Sequence, residues 1–151
     1  MNGSKGFSLV ELTVVIGVLG VLVAVSVPNF IEWTRNARCK EAANFSSMTL
    51  RRAKGQAINL NQRVKVEFDL ETRTVIMNVV GGPIIASSKI SDGVGIKGGT
   101  TCTTTSGKVS FTFNPTGSSS SGYVCIFDGP IKKYKVGVGT ANTGRIRIDK
   151  F

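Results

Sequence analysis

The chain of 151 residues contains no histidine and only nine Asp and Glu. Without histidine it lacks the commonest general base, the commonest zinc ligand and any triad built on imidazole. Nine carboxylates leave few candidates for acid–base work. Those that cluster, Glu67, Asp69 and Glu71, read as the outer face of a hairpin strand and its turn. No catalytic residue is assigned. The three cysteines, Cys39, Cys102 and Cys125, have no Cys-x-x-Cys spacing, which argues against a metal centre or redox chemistry, and no cofactor is expected. What the chain has instead is positive charge: 19 Lys and Arg, a formal net charge of +10 and a pI near 10. That surplus points to an anionic partner such as nucleic acid, lipid headgroups or an acidic protein. The length suits one domain, or one domain with an appended segment, and can bury a core without metals or many disulfides. Binding and assembly are therefore expected in place of chemistry.

The charge is unevenly placed. Leu12 to Ile31 is a run of twenty residues without a charged side chain, mostly Val, Leu, Ile and Gly. Twenty residues of helix span about 30 Å, the thickness of a bilayer's hydrocarbon core. Phe7, Leu9 and Val10 extend the run upstream, interrupted by Glu11. A secretory signal peptide would need a small-x-small cleavage site after the run, and Val-Ser-Val-Pro-Asn-Phe is a poor one. An ordinary anchor has no use for Glu11, because a carboxylate within an apolar span costs about 2.5–3.5 kcal/mol on insertion scales. Glu11 is then a functional candidate that needs a cation as partner. Gly17, Gly20 and Pro28 are the places where such a helix bends or packs closely.

Lys5-Gly6-Phe7-Ser8-Leu9-Val10-Glu11-Leu12 resembles the leader junction of type IV prepilins and type II secretion pseudopilins. The resemblance implies that a prepilin peptidase cuts after Gly6 and methylates Phe7. It implies that Glu11 meets the new amino terminus of a neighbouring subunit during filament assembly. It also implies a melted stretch from about Gly20 to Pro28 in the fibre. A buried carboxylate and a buried ammonium offset each other's desolvation, and either alone is penalised. The partners implied are other pilin or pseudopilin subunits, the peptidase, and inner-membrane lipid before assembly, with the head in the periplasm.

After Pro28 the chain turns amphipathic. Phe30, Trp33, Ala37, Phe45 and Met48 recur at helical spacings among Arg35, Arg38, Lys40, Arg51, Arg52 and Lys54. A helix to about Gly55 is expected, with this apolar stripe packed on a sheet. From residue 63 the period becomes two: Val64, Val66 and Phe68 alternate with charged residues, and Leu70–Arg73 turns into Thr74–Val80. Gly81-Gly82-Pro83 breaks the hairpin. Further strands are expected at Val94–Lys97, Lys108–Phe113, Gly122–Phe127, Lys133–Val138 and Arg145–Ile148. Gly117–Gly122, rich in serine, reads as a flexible solvated loop. The fold expected is α+β, a long N-terminal helix packed on an antiparallel sheet. Its divisions are a leader at 1–6, a hydrophobic transmembrane and filament-core helix at 7–31, an amphipathic stalk at 32–62 and a β-rich head at 63–151.

An oxidising compartment would permit a Cys102–Cys125 disulfide, and three reduced, partly buried thiols are the alternative. In the tail, residues 129–151 hold six cations against one acid, and residues 32–65 hold eight against two. Alternation turns Lys133 and Lys135 one way and Tyr134, Val136 and Val138 the other. If the strands bearing Lys133, Lys135, Arg145 and Arg147 pair, four cations converge on one surface. Gly139–Gly144 could offer backbone N–H groups near it, but Arg145 stands where a phosphate loop has lysine, and no nucleotide site is expected. Gly144-Arg145-Ile146-Arg147, preceded by Phe111-Thr112-Phe113-Asn114-Pro115-Thr116-Gly117, looks like the C-terminal half of the GspH/FimT group of minor pilins. In some FimT-type members a Gly-Arg-x-Arg tail binds double-stranded DNA, which implies that role for Arg145 and Arg147. A solvated edge strand whose charges prevent sheet-to-sheet aggregation is the plainer reading of the same residues. A secretion pseudopilin and a major structural pilin forming homopolymeric fibres are the alternatives without DNA binding.

Overall fold

The structure, a computed structural model, describes residues 8–140 and 143–151, and for residues 25–29 the backbone alone. It divides after Arg35 into two compact units. A single helix, α1, runs Leu9–Leu60.

In the first unit, the apolar side chains from Leu9 to Val23 are exposed; Leu9 is 77% accessible, Leu19 54% and Val23 59%. A helix segment apolar on every face is of the kind that lipid or other helices cover. Among the described residues no helix is long and apolar enough to cross a membrane. The expected span over 7–31 also draws on Phe7 and the side chains of residues 25–29, which lie outside the described residues.

The second unit wraps strands around the C-terminal part of α1. The helix passes through Gly55 and ends five residues later than Gly55 at Leu60, where Asn61 takes a left-handed φ of 51°. The Asn61 N–H donates to the Ile58 carbonyl and the Gln62 N–H to the Ala57 carbonyl, a Schellman closure that satisfies two otherwise orphaned acceptors. Of the expected stripe of large residues, the buried face keeps only Phe45, half-buried against the core. Phe30, Trp33 and Met48 are exposed, and the residues that meet the sheets are Cys39, Ala42, Ala43, Ser46, Ser47, Leu50, Ala53 and Ala57. Their small size lets the helix backbone approach closely, and a sequence reading weighted by hydrophobic bulk passes over them. Ser46 meets its own need by donating to the Ala42 carbonyl at 2.8 Å.

The strands form two antiparallel four-stranded sheets where one was expected. In chain order they are β1 Val64–Asp69, β2 Thr74–Val79, β3 Ile84–Lys89, β4 Gly95–Gly98, β5 Lys108–Phe113, β6 Gly122–Asp128, β7 Ile131–Val138 and β8 Ile146–Lys150. The first sheet has the order β3-β2-β1-β5 and the second β4-β6-β7-β8. The inward residues Val64, Val66, Phe68, Phe111, Phe113, Val124, Ile126, Val136 and Val138 join the helix face in one core. Phe111 links the layers: its ring lies edge-on to Phe68 with centroids 5.7 Å apart, and its edge comes within 3.3 Å of where a Cβ on Gly122 would stand. β3, absent from the sequence reading, is an edge strand whose burial does not alternate. The serine-rich segment is not a free solvated connection. Gly117 and Ser119 are buried, Ser119 bridges Phe113, and the Ser120 N–H donates to the Thr112 carbonyl.

Candidate functional site

β7 and β8 pair antiparallel, with Gly137 opposite Arg147, Lys135 opposite Asp149 and Val138 opposite Ile146. β8 is the outer strand of its sheet. Arg145 and Arg147 sit two residues apart at its start, both exposed. Gly137 leaves Arg147 without a cross-strand side chain, and no larger residue fits there, because a Cβ would run into the Gly122 carbonyl oxygen. The ion pairs among the described residues are Lys65–Glu67 at 2.9 Å, Arg73–Asp92 at 2.8 Å and Lys89–Asp92 at 3.4 Å. Neither tail arginine belongs to one.

The lysines expected on this surface are differently engaged. Lys135 donates to the Thr100 carbonyl at 2.9 Å, and its ammonium lies 4.0 Å from the centre of the Tyr123 ring. Lys132, two residues before Tyr134, caps the Phe151 ring at 4.2 Å. A register irregularity between β6 and β7 falls at Ile126 and Phe127, which pair with Tyr134 and Lys132 and leave Lys133 as the extra residue. Simple alternation therefore stops short of Lys133. Its charge acts instead on the buried Cys39 thiol, whose pKa burial pushes up, with Asp128 adding to the rise and Lys133 opposing it.

The cation-rich segment 32–65 meets the tail at one place. Arg51 and Lys54 of α1 line an open cleft of about 650 Å³ together with Thr143, Gly144, Arg145 and Ile146. Lys54 donates to the carbonyls of Thr143 and Gly144 at 3.1 and 3.3 Å. Here the loop before β8 offers carbonyl oxygens to a cation, not N–H groups to an anion. Gly144 has φ +52°, and a Cβ on it would collide with the Gly117 carbonyl oxygen, so the position before Arg145 demands glycine. The signal in the sequence was the i, i+3 spacing of Arg51 and Lys54, but nothing local says which distant loop they meet.

At the N-terminus, Gly6 and Phe7 lie outside the described residues. Glu11 is in the first turn of α1 and exposed. Gly20 is within the helix, and a Cβ there would touch nothing within 4 Å. Pro28 is in the helix, its side chain outside the described residues. Cys102 and Cys125 are joined as a disulfide with Cα atoms 5.7 Å apart. Asp69 closes the β1–β2 turn by accepting from the N–H groups of Thr72 and Glu71 at 2.9 and 3.0 Å, bonds that hold its carboxyl below the usual range. Glu67 is engaged with Lys65. Among the described residues no group of three or more His, Cys, Asp or Glu could hold a metal ion.

Comparison with known proteins places these features in a family context. The family model described as type II transport protein GspH matches residues 42–147, and that of the prokaryotic N-terminal methylation motif matches residues 1–27. The chain is 40% identical over 42 residues to a fimbrial protein of Moraxella nonliquefaciens, covering 28% of this chain and 27% of that protein. It is 50% identical over 34 residues to the type IV narrow pilus major component PilA5 of Thermus thermophilus, covering 22% and 29% respectively. It thus spans less than a third of the length of either relative. In structure it is similar to the minor pseudopilin EpsH from the type 2 secretion system of Vibrio cholerae, with TM-score 0.58 and 15% identity over 75% of this chain and 97% of that one. The type IV minor pilin FimU of Pseudomonas aeruginosa gives TM-score 0.58 and 15% identity over 78% and 92%. At that identity the likeness establishes the fold: a helix packed on antiparallel sheets.

Proposed function

This chain belongs to the GspH family within the type IV pilin and pseudopilin superfamily, whose members assemble into filaments at the cell envelope, and from that premise we propose that it is a minor pilin or pseudopilin subunit matured by a prepilin peptidase. The observation that carries the reading is the presence in one chain of the methylation motif over residues 1–27 and the GspH domain over residues 42–147. On this reading the leader is 1–6, the membrane and filament-core helix 7–31, the stalk 32–62 and the head 63–151. The peptidase cuts after Gly6 and Phe7 is methylated. Before assembly the subunit sits in the inner membrane with its head in the periplasm.

Assembly follows from energetics already described. Covering each exposed Val, Leu or Ile between Leu9 and Val23 is worth about 1.5–3 kcal/mol, so lipid or neighbouring helices are required. Glu11 costs about 2.5–3.5 kcal/mol in that apolar setting unless an ammonium meets it. The amino terminus of an adjacent subunit is such a cation, and pairing with it fixes axial register. Gly20 and Pro28 supply the weak points at which the helix loosens in the fibre. Co-expression of the full chain with a prepilin peptidase, followed by intact mass measurement, tests the reading. The expected product lacks residues 1–6 and carries one added methyl group, and Gly6→Leu yields neither change. A parent chain that keeps its leader would sink it.

A second reading, that the head binds duplex DNA, is favoured by the exposure of Arg145 and Arg147 and by their lack of acidic partners. Such binding is electrostatic: each neutralised phosphate adds about 0.9 to the slope of log affinity against log salt. Arg145→Ala with Arg147→Ala should weaken binding equally across sequences and flatten that slope by about 2. Lys135 contributes less, being held by Thr100 and Tyr123. Equal affinity of parent and double variant in a salt series would remove DNA as the ligand and leave a pseudopilin, or a major structural pilin, that acts by assembly alone.

A further inference from the structure

We propose that the cleft between the C-terminal part of α1 and the loop before β8 is an oxyanion site that seats one phosphate group between Arg51 and Arg145. The proposal does not depend on the DNA reading of the tail.

Cations of the second unit are used in different ways. Lys65, Arg73 and Lys89 are paired with carboxylates. Lys97, Lys132 and Lys135 lie over the rings of Phe127, Phe151 and Tyr123. Arg51, Lys54 and Arg145 have neither arrangement among the described residues, yet they line one concavity that contains no acid. They come from elements some ninety residues apart in the chain, so the convergence is made by the fold.

Each part of the cleft has a definable task. The Arg51 Nε–H donates to the Ser47 hydroxyl at 3.3 Å, which orients the guanidinium and leaves its two terminal nitrogens free. Lys54 donates to two carbonyls, which ties the loop to the helix while its charge stays among the cleft's lining. Gly144, locked against Gly117, precedes Arg145, which lines the cleft together with Arg51. Two forked guanidiniums facing a concave space suit a tetrahedral oxyanion, which accepts several N–H bonds at once. Phosphate is favoured over a carboxylate from a second copy, because this chain has nine acids, of which Asp92, Glu67 and Asp69 are already engaged. The cleft's volume, about 650 Å³, admits the group with part of its hydration shell.

The test uses the full chain in non-ionic detergent, titrated with pyrophosphate at ionic strength held constant with chloride and followed by melting temperature. The parent should show a saturable rise. Arg51→Gln should weaken the apparent affinity about ten-fold, as expected for loss of one charge-assisted bond. Arg52→Gln, an exposed neighbour outside the cleft, should leave it unchanged. Melting without ligand should be the same for all three chains. Absence of a saturable response, or an equal response in Arg51→Gln, would overturn the site. A second arm adds a short duplex DNA. Displacement of pyrophosphate assigns the cleft to a backbone phosphodiester, and failure to displace it excludes that source and leaves a free phosphate. If DNA binding by the tail fails its own test while pyrophosphate still binds through Arg51, the cleft stands alone.

Discussion

Replacing Phe111 by alanine should cost the head about 4 kcal/mol, within the range for deleting a buried aromatic. The ring is fully buried and edge-on to Phe68, and it packs closely over Gly122 on the neighbouring sheet, 3.3 Å from where a Cβ would stand. It therefore closes both the pairing of β1 with β5 and the seam between sheets. Alanine removes the transfer energy and leaves a cavity that neither backbone can fill without moving. A domain of this size holds about 5–15 kcal/mol in total, so the loss is a large share. Urea denaturation of the full chain in detergent, read by amide exchange in β1 and β5, should show the midpoint falling by about 2 M for a slope near 2 kcal/mol/M. A shift under about 0.5 M would mean that the ring is not the keystone described.

The second large effect concerns Cys102 and Cys125. Their bond closes a loop with a sequence separation of 23, for which the chain-entropy estimate is about 3 kcal/mol. Cys102 has a φ of 61° in the turn that follows β4, and Cys125 is fully buried on β6 beside Phe127. Without the bond the turn is held mainly by the Gly98–Thr104 bridge, with hydrogen bonds of 2.7 and 3.2 Å. Cys102→Ala with Cys125→Ala should lower the melting temperature by roughly 12 °C. A reductant should produce the same fall in the parent and none in the variant. The Thr100 carbonyl that accepts from Lys135 lies in the freed turn, so Lys135 should gain mobility in the variant. An unchanged melting temperature would show the turn to be stable by itself.

The hairpin β1–β2 was legible because alternating burial writes period two into the chain, and β5 to β8 were found within two residues at each end. β3 was missed because Ile84-Ile85-Ala86-Ser87-Ser88-Lys89 has no alternation; one face of an edge strand is covered only in part. The helix itself was legible, but its buried face was not, since Ala42, Ala43, Ser46 and Ser47 contribute by being small. In the tail, the two alternating runs marked both strands, while their pairing, left open by the sequence, is seen only in the structure. The irregularity at Lys133 has no mark in the sequence. Nor does the meeting of Arg51 and Lys54 with Gly144 and Arg145, which is a product of tertiary closure. The glycine of Gly-Arg-x-Arg gains a physical reason that a pattern alone lacks: it is wedged against Gly117.

Cys39 stands apart from the disulfide. It is buried against the sheets and its thiol is pushed up in pKa, first by burial and then by Asp128. Exchange proceeds through the thiolate, so a shielded, protonated sulfur is a poor attacker of any disulfide. With three cysteines, an oxidising chain has three ways to form one bridge, and two of them are wrong. Docking of the helix before oxidation would sequester Cys39 and leave a single productive pair, making the order of folding the safeguard of cross-link fidelity.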